Sequence, residues 1–212
     1  MGSMIVQPQD DHPLVEAATL TADQLALVQE IYDEAFPEDL RVPFDDLLVD
    51  RVLVRLDPQG RPEGLAVVRA LGGTGWTFLR YYAVGARGGG TGSAMLEQLA
   101  ARLSREGGSL LVWDVEDPDE PGLGPDHVLE HQRRIRFYER NAGELLPVAE
   151  YRPPHDGGLE GHAPPMRLMC RTLGAWVRPP VADIVRGAYQ HRYGLAGDDP
   201  VVLRTLEASA LP

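Results

Sequence analysis

A chain of 212 residues, 43% hydrophobic and 25% charged, is expected to fold as one domain with a sizeable core. Its formal net charge of −12, with arginine as the sole basic side chain besides histidine, argues against sequence-independent binding to nucleic-acid phosphates and tilts toward a cationic small-molecule or peptide partner. No apolar run approaches the ~20 residues of a membrane span, the N-terminus lacks a signal-peptide pattern, and the lone Cys170 cannot close an internal disulfide; a cytoplasmic protein without a membrane anchor is expected.

Residues 13–20 read as a short strand. Thr21 followed by Gln24 forms a capping-box pattern opening a helix over 22–35, with Leu25, Val28, Ile31 and Tyr32 on one face. A proline-marked break precedes a second short helix at 44–50. Three β-branched and aromatic runs then follow, RVLVRLD, EGLAVVRAL and WTFLRYYAV, separated by the turn signals PQGRP and GGTG, which predicts an antiparallel meander.

After the glycine-rich stretch ARGGGTGS comes a helix with Met95, Leu96, Leu99 and Leu103 on one face and Gly107 just past its end. SLLVWDVED is a further strand, and Asp126 is placed to cap a helix running to Arg140. ELLPVAEYRPP and PMRLMCRTL read as closing strands around the loop HDGGLEGHA. The tail from 179 carries amphipathic helical pieces. The order predicts a mixed α/β sheet, mostly antiparallel, with one parallel crossover around the glycines and a C-terminal helical extension over 179–212. That extension packs on the domain or on a partner subunit; a homodimer is left open.

A strand that runs through glycines into a helix presents unpaired N–H groups and the positive end of the helix, which suits an anion and above all a phosphate. A P-loop is excluded because it needs a lysine. A dinucleotide fingerprint finds Gly90 and Gly92 but meets Met95 where its third small residue belongs, and the unit follows an antiparallel meander. The pattern [QR]-x-x-G-x-[GA] is matched in full by Arg87, Gly88, Gly89, Gly90, Thr91 and Gly92.

With the distal run RFYERNAG at 136–143, this pattern resembles the GCN5-related N-acetyltransferase superfamily over roughly residues 13–175. The resemblance implies acetyl-CoA as co-substrate and an amine acceptor, small-molecule or peptide. It places the pyrophosphate on the backbone of Gly88, Gly89, Gly90, Thr91, Gly92 and Ser93, with Arg87 touching phosphate or pinning the loop. It sets the pantetheine amides against the strand backbone at Ala83 and Val84, and leaves Asn141 as a further contact to the CoA arm. The connection from Val84 to Arg87 is shorter than the family's usual one and lacks its common proline.

Transfer of acetyl from a thioester to an amine needs a neutral amine, a donor for the developing oxyanion and a proton for the leaving thiolate. The resemblance puts Tyr138 in the position of that proton donor, although a core aromatic fits the same place. Many members carry a glutamate on the fourth strand; here Arg80 or Tyr81 stands there. On the next strand Asp114 and Glu116 alternate onto one face, and Glu116, nearer the strand's end, is the expected general base, with Asp114 or water as alternatives. His155 and His162 lie in a loop that often covers the acceptor. Arg133, Arg134 and Arg136 suit phosphate, an acceptor carboxylate or solvent, and Cys170 suits a buried apolar role. A fold relative that binds acyl-CoA without turnover is the alternative function.

Overall fold

Thr21 opens the first helix as its sequence predicts. Its hydroxyl accepts the Gln24 N–H at 3.2 Å, while the Gln24 side chain accepts the Thr21 N–H at 2.9 Å. In the computed structural model, which describes residues 12–38, 41–86, 88–154 and 164–212, this helix is α1 (Ala22–Ala35). It follows β1 (Leu14–Glu16) and precedes α2 (Phe44–Leu47).

The meander is β2 (Arg51–Leu56), β3 (Pro62–Ala70) and β4 (Trp76–Val84). Then come α3 (Thr91–Arg105), β5 (Leu110–Glu116), α4 (Pro125–Arg140), β6 (Glu144–Leu145) and β7 (Met166–Thr172). The C-terminal extension is α5 (Val181–Gly187), a π-helical segment Ala188–Arg192, and α6 (Pro200–Ala208).

Seven strands form one sheet in the order β1-β2-β3-β4-β5-β7-β6. Among the described residues only β4 and β5 run parallel, joined through α3, and every other pairing is antiparallel. This is the mixed α/β architecture expected.

Period-two alternation sorts the core onto two faces. Leu53, Ala66, Val68, Leu79, Trp113 and Val115 meet α3 and α4 through Met95, Leu96, Leu99, Ile135 and Tyr138. On the opposite face, Val54, Val67 and Tyr81 pack on α1 through Val28, Ile31 and Tyr32. Beside them Phe78, Val112, Leu168 and Cys170 are covered by Ile184, Val185, Tyr189 and Leu206 of the extension. The tail therefore folds back on its own sheet.

Four elements differ from expectation, each for a local reason. The first strand stops at Glu16 because a 3-10 turn, with Leu20 N–H on the Ala17 carbonyl, takes over. Residues 48–50 leave α2, and the Asp50 carboxylate turns instead to Arg69 and Arg80. Gly124 rather than Asp126 caps α4, since Pro125 has the fixed φ and missing N–H that suit the first helical position. The strand expected over 144–154 keeps only its first two residues: Val148 N–H turns onto the Leu146 carbonyl next to Pro147, which has no N–H to give a ladder.

Candidate active site

Pairing between β4 and β5 ends early. Residues 76–78 match 110–112, and beyond that register the two strands part. A β-bulge contributes: Val67 pairs with Tyr81 and Val68 with Leu79, so Arg80 is the extra residue, and a bulge bends its strand. A cavity of about 910 Å³ opens between the parted ends, lined by Leu79, Tyr82, Ala83 and Val84 on one side and by Trp113, Asp114 and Glu116 on the other.

The backbone of β4 has polar groups to offer this opening. Gly85 N–H donates to the Glu63 carbonyl at 2.9 Å across the β3–β4 ladder. Alternation then turns the groups of Ala83 toward Leu65 and those of Tyr82 and Val84 toward the gap. Both residues singled out from the sequence line the cavity, but Val84, with Tyr82, is the one whose amide edge faces it.

At the end of β4 the chain passes through Gly88, Gly89 and Gly90 with φ of +96°, +64° and +85°, a run that residues with a Cβ resist. Among the described residues nothing lies within 4 Å of where their Cβ atoms would stand, so on that side the loop's surface is open. Gly90 caps α3 without a side chain, and no acidic residue occupies the first turn. The N–H groups of Thr91, Gly92 and Ser93 therefore remain at the positive end of a four-turn helix. Tyr82 donates its hydroxyl to the Gly92 carbonyl at 2.5 Å and anchors this helix end to β4. Arg87 lies outside the described residues.

Tyr138 reaches the cavity from α4. Its ring packs 4.8 Å from that of Trp113 and 5.2 Å from that of Phe137. Burial pushes its phenol above the ordinary range, partly offset by the Arg134 charge and reinforced by Glu116 and Asp114, so the hydroxyl keeps its proton. Among the described residues that hydroxyl takes no hydrogen-bond partner.

The two carboxylates of β5 both line the cavity but have different companions. Glu116 is held by the Arg134 guanidinium of α4. Burial works to raise its pKa, but the Arg134 charge and hydrogen bonds outweigh that and leave it lowered. A carboxylate in that state accepts a proton poorly, which weighs against the base role expected for Glu116. Asp114 accepts the Tyr193 hydroxyl at 2.6 Å.

Tyr193 and Arg192 also line the cavity, brought there by the C-terminal extension. The Arg192 guanidinium lies 5.7 Å from the Phe78 ring centroid and 4.8 Å from that of Tyr193. Neither was legible as a site residue, because no spacing in the tail announces a π-helical segment that carries its last side chains into a cleft.

Among the remaining sequence candidates, Asn141 ends α4 and its side-chain amide donates to the Phe137 carbonyl at 2.7 Å; it does not line the cavity. Arg80 lines the cavity and donates to Asp50. Arg133 stands exposed at the mouth, whereas Arg136 lies away from it. The Cys170 thiol is buried and pushed up to about 12 by desolvation, an inert state. His155 and His162 fall outside the described residues. No helix among those described is long and apolar enough to cross a membrane.

No protein-family model matches the sequence, and no curated protein matches it. Solved structures do. The aminoglycoside 6'-N-acetyltransferase from Enterococcus faecium is similar with a TM-score of 0.58 and 15% identity, covering 79% of this chain and 99% of that one. A GNAT-superfamily phosphinothricin acetyltransferase from Sinorhizobium meliloti, in complex with acetyl-CoA, gives 0.53 and 20%, covering 80% and 93%. A GCN5-related N-acetyltransferase from Kribbella flavida gives 0.53 and 14%, covering 77% and 98%. The fold is that of the GCN5-related N-acetyltransferases. About a fifth of this chain lies outside the shared part, as 80% coverage leaves it.

Proposed function

We propose that the protein transfers the acetyl group of acetyl-CoA to a primary amine by direct attack. The observation that carries this reading is one continuous cleft: the parted β4 and β5 open beside the uncapped N-terminus of α3 and lead to the Tyr138 hydroxyl. A nucleotide without an extended arm would need the glycine loop but not the parted strands.

The residues fit such a co-substrate. Open space at Gly88, Gly89 and Gly90, with the free N–H groups of Thr91, Gly92 and Ser93, suits a pyrophosphate. The outward amide edge of Tyr82 and Val84 suits an extended pantetheine arm, as a peptide adds to an open sheet edge. Acetyl-CoA supplies the activated acetyl thioester.

Tyr138 is the proton donor in this reading. Its raised pKa keeps it protonated at neutral pH, and a thiolate developing in the same desolvated cleft is itself made more basic, which keeps the transfer matched. Glu116 holds Arg134 across the mouth and stabilises charge there, and water carries away the amine's proton.

The test separates binding from turnover. Thermal unfolding is followed with CoA, acetyl-CoA and NAD; a ligand at 100 times its Kd should add ~2.7 kcal/mol. Stabilisation by both CoA forms and thiol release with an amine panel support the transferase. Stabilisation without thiol release leaves a non-catalytic acyl-CoA sensor, and stabilisation by NAD alone overturns the assignment.

A further inference from the structure

We propose that the acceptor is a primary amine with an apolar body, an alkyl or arylalkyl amine, whose tail lies on Phe36 and Met166. This rests on the acetyl-transfer reading above and assigns the class of substrate that the cleft selects.

The cleft passes through the sheet. Tyr82, Val84 and Phe137 line it from the face that carries α3 and α4, where Tyr138 and the N-terminus of α3 stand. Phe36, Tyr81, Met166 and Tyr193 line it from the opposite face, beside α1 and the C-terminal extension. A co-substrate whose pyrophosphate sits on α3 fills the first side, so the acceptor meets the thioester from the second.

Among the described residues that second side presents apolar surface. Phe36 ends α1, and its ring stands edge-on to Tyr81 at 5.0 Å and tilted against Tyr32 at 5.4 Å, so the wall is already in place. Met166 opens β7 opposite Glu116 in register, with its half-buried side chain at the cavity. Pro153, Pro154 and Pro164 line the same side, and proline has no backbone N–H to offer a polar ligand.

The charged side chains there are already engaged. Arg80 donates to Asp50, Asp114 accepts from Tyr193, and Glu116 is held by Arg134. The Arg192 guanidinium lies over the Phe78 and Tyr193 rings. A second charge on the acceptor would have to displace one of these contacts or give up its water without a partner, which costs free energy. A methylene group gains by leaving water for the same surface. The acceptor is therefore chosen by its tail, and its one polar group is the amine that reacts.

Thiol release by the full chain with acetyl-CoA is followed for ethylamine, butylamine, hexylamine, 2-phenylethylamine and 1,4-diaminobutane, in wild type, Met166→Gln and Phe36→Leu. Straight-chain alkylamines ionise alike, so that series varies the tail alone. For wild type, kcat/KM should rise about fourfold for each methylene that finds apolar surface. The ring of 2-phenylethylamine should place it near hexylamine, and 1,4-diaminobutane should fall below butylamine. Met166→Gln keeps the side-chain length and sets an amide on the wall. It should raise the hexylamine KM while leaving ethylamine turnover and the acetyl-CoA KM nearly unchanged, and Phe36→Leu should do the same for 2-phenylethylamine.

A series that is flat or falls from ethylamine to hexylamine overturns the assignment, as does a preference for 1,4-diaminobutane over butylamine. Wild-type slopes in both variants overturn the seat on Phe36 and Met166. Thiol release with a flat series removes only the apolar acceptor, whereas no thiol release with any amine removes the transferase reading itself. Thermal unfolding of each variant with and without acetyl-CoA shows that fold and co-substrate site persist, and two variants on separate elements keep the test standing where one folds poorly.

Discussion

Gly143 lies so close beneath Tyr138 that no side chain fits between them. A Cβ at Gly143 would stand 2.8 Å from the Tyr138 carbonyl oxygen and 2.9 Å from Cζ2 of Trp113. Gly143 N–H also donates to that same Tyr138 carbonyl at 2.8 Å, which ends α4. The glycine that closes the FYERNAG run thus sets how near α4 comes to β5, and with it the position of the Tyr138 ring. Replacing it with alanine overpacks a buried contact, which typically costs about 1–3 kcal/mol. Urea unfolding of Gly143→Ala should show that loss, and acetyl transfer should fall further than the stability change explains. An unchanged midpoint would mean that the contact yields without cost.

The glycines of the loop answer to a different constraint. Gly89 has φ of +64° and, among the described residues, nothing within 4 Å of its missing Cβ, so backbone conformation is what demands glycine there. Gly89→Ala should destabilise by about 1–2 kcal/mol, the cost of a left-handed conformation for a residue with a Cβ. It should also weaken acetyl-CoA binding by calorimetry, because the strained loop relaxes away from its phosphate-binding shape. A variant with lowered stability but wild-type affinity for acetyl-CoA would remove the loop from the proposed site.

Legibility in the sequence followed the range of the forces involved. Local signals carried well: the Thr21–Gln24 box, the meander's turns and the apolar face of α3 depend on neighbours within a few residues. The glycine loop was legible because its backbone angles admit few residues with a Cβ. The companions of Glu116 and Asp114 were not. Arg134 reaches Glu116 from 18 positions away and Tyr193 reaches Asp114 from 79, and no periodicity encodes contacts of that range. Position along β5 favoured Glu116 as the base, whereas the charge beside it, visible only in three dimensions, weighs the other way.

The Glu116–Arg134 pair has its own pH signature. The folded-state pKa of Glu116 lies below the unfolded value of ~4.3, so the pair's contribution is present above that pH and is lost as pH falls through the lowered folded value. Glu116→Gln cannot show this loss. The stability gap between wild type and Glu116→Gln should be about 1 kcal/mol at neutral pH, discounted for the water that still reaches Arg134. In urea unfolding the gap should shrink as the buffer is taken below pH 4, while a gap that grows on acidification would contradict the lowered pKa.

Tyr138→Phe tests the chemistry itself. The substitution removes one oxygen and leaves the ring against Trp113 and Phe137, so packing changes little. Because burial disfavours the phenolate and the hydroxyl has no partner among the described residues, its deletion should cost little stability or even add some. A group that gives a proton only as the thiolate departs acts on the transition state, and general-acid catalysis is worth about 10²–10⁴ in rate. The expected result is a fall in kcat of about that size with the acetyl-CoA KM nearly unchanged, read by thiol release, since an interaction made only in the transition state does not alter ground-state binding. Were kcat preserved and KM raised instead, Tyr138 would be a wall of the acyl pocket, and the proton for the thiolate would come from water.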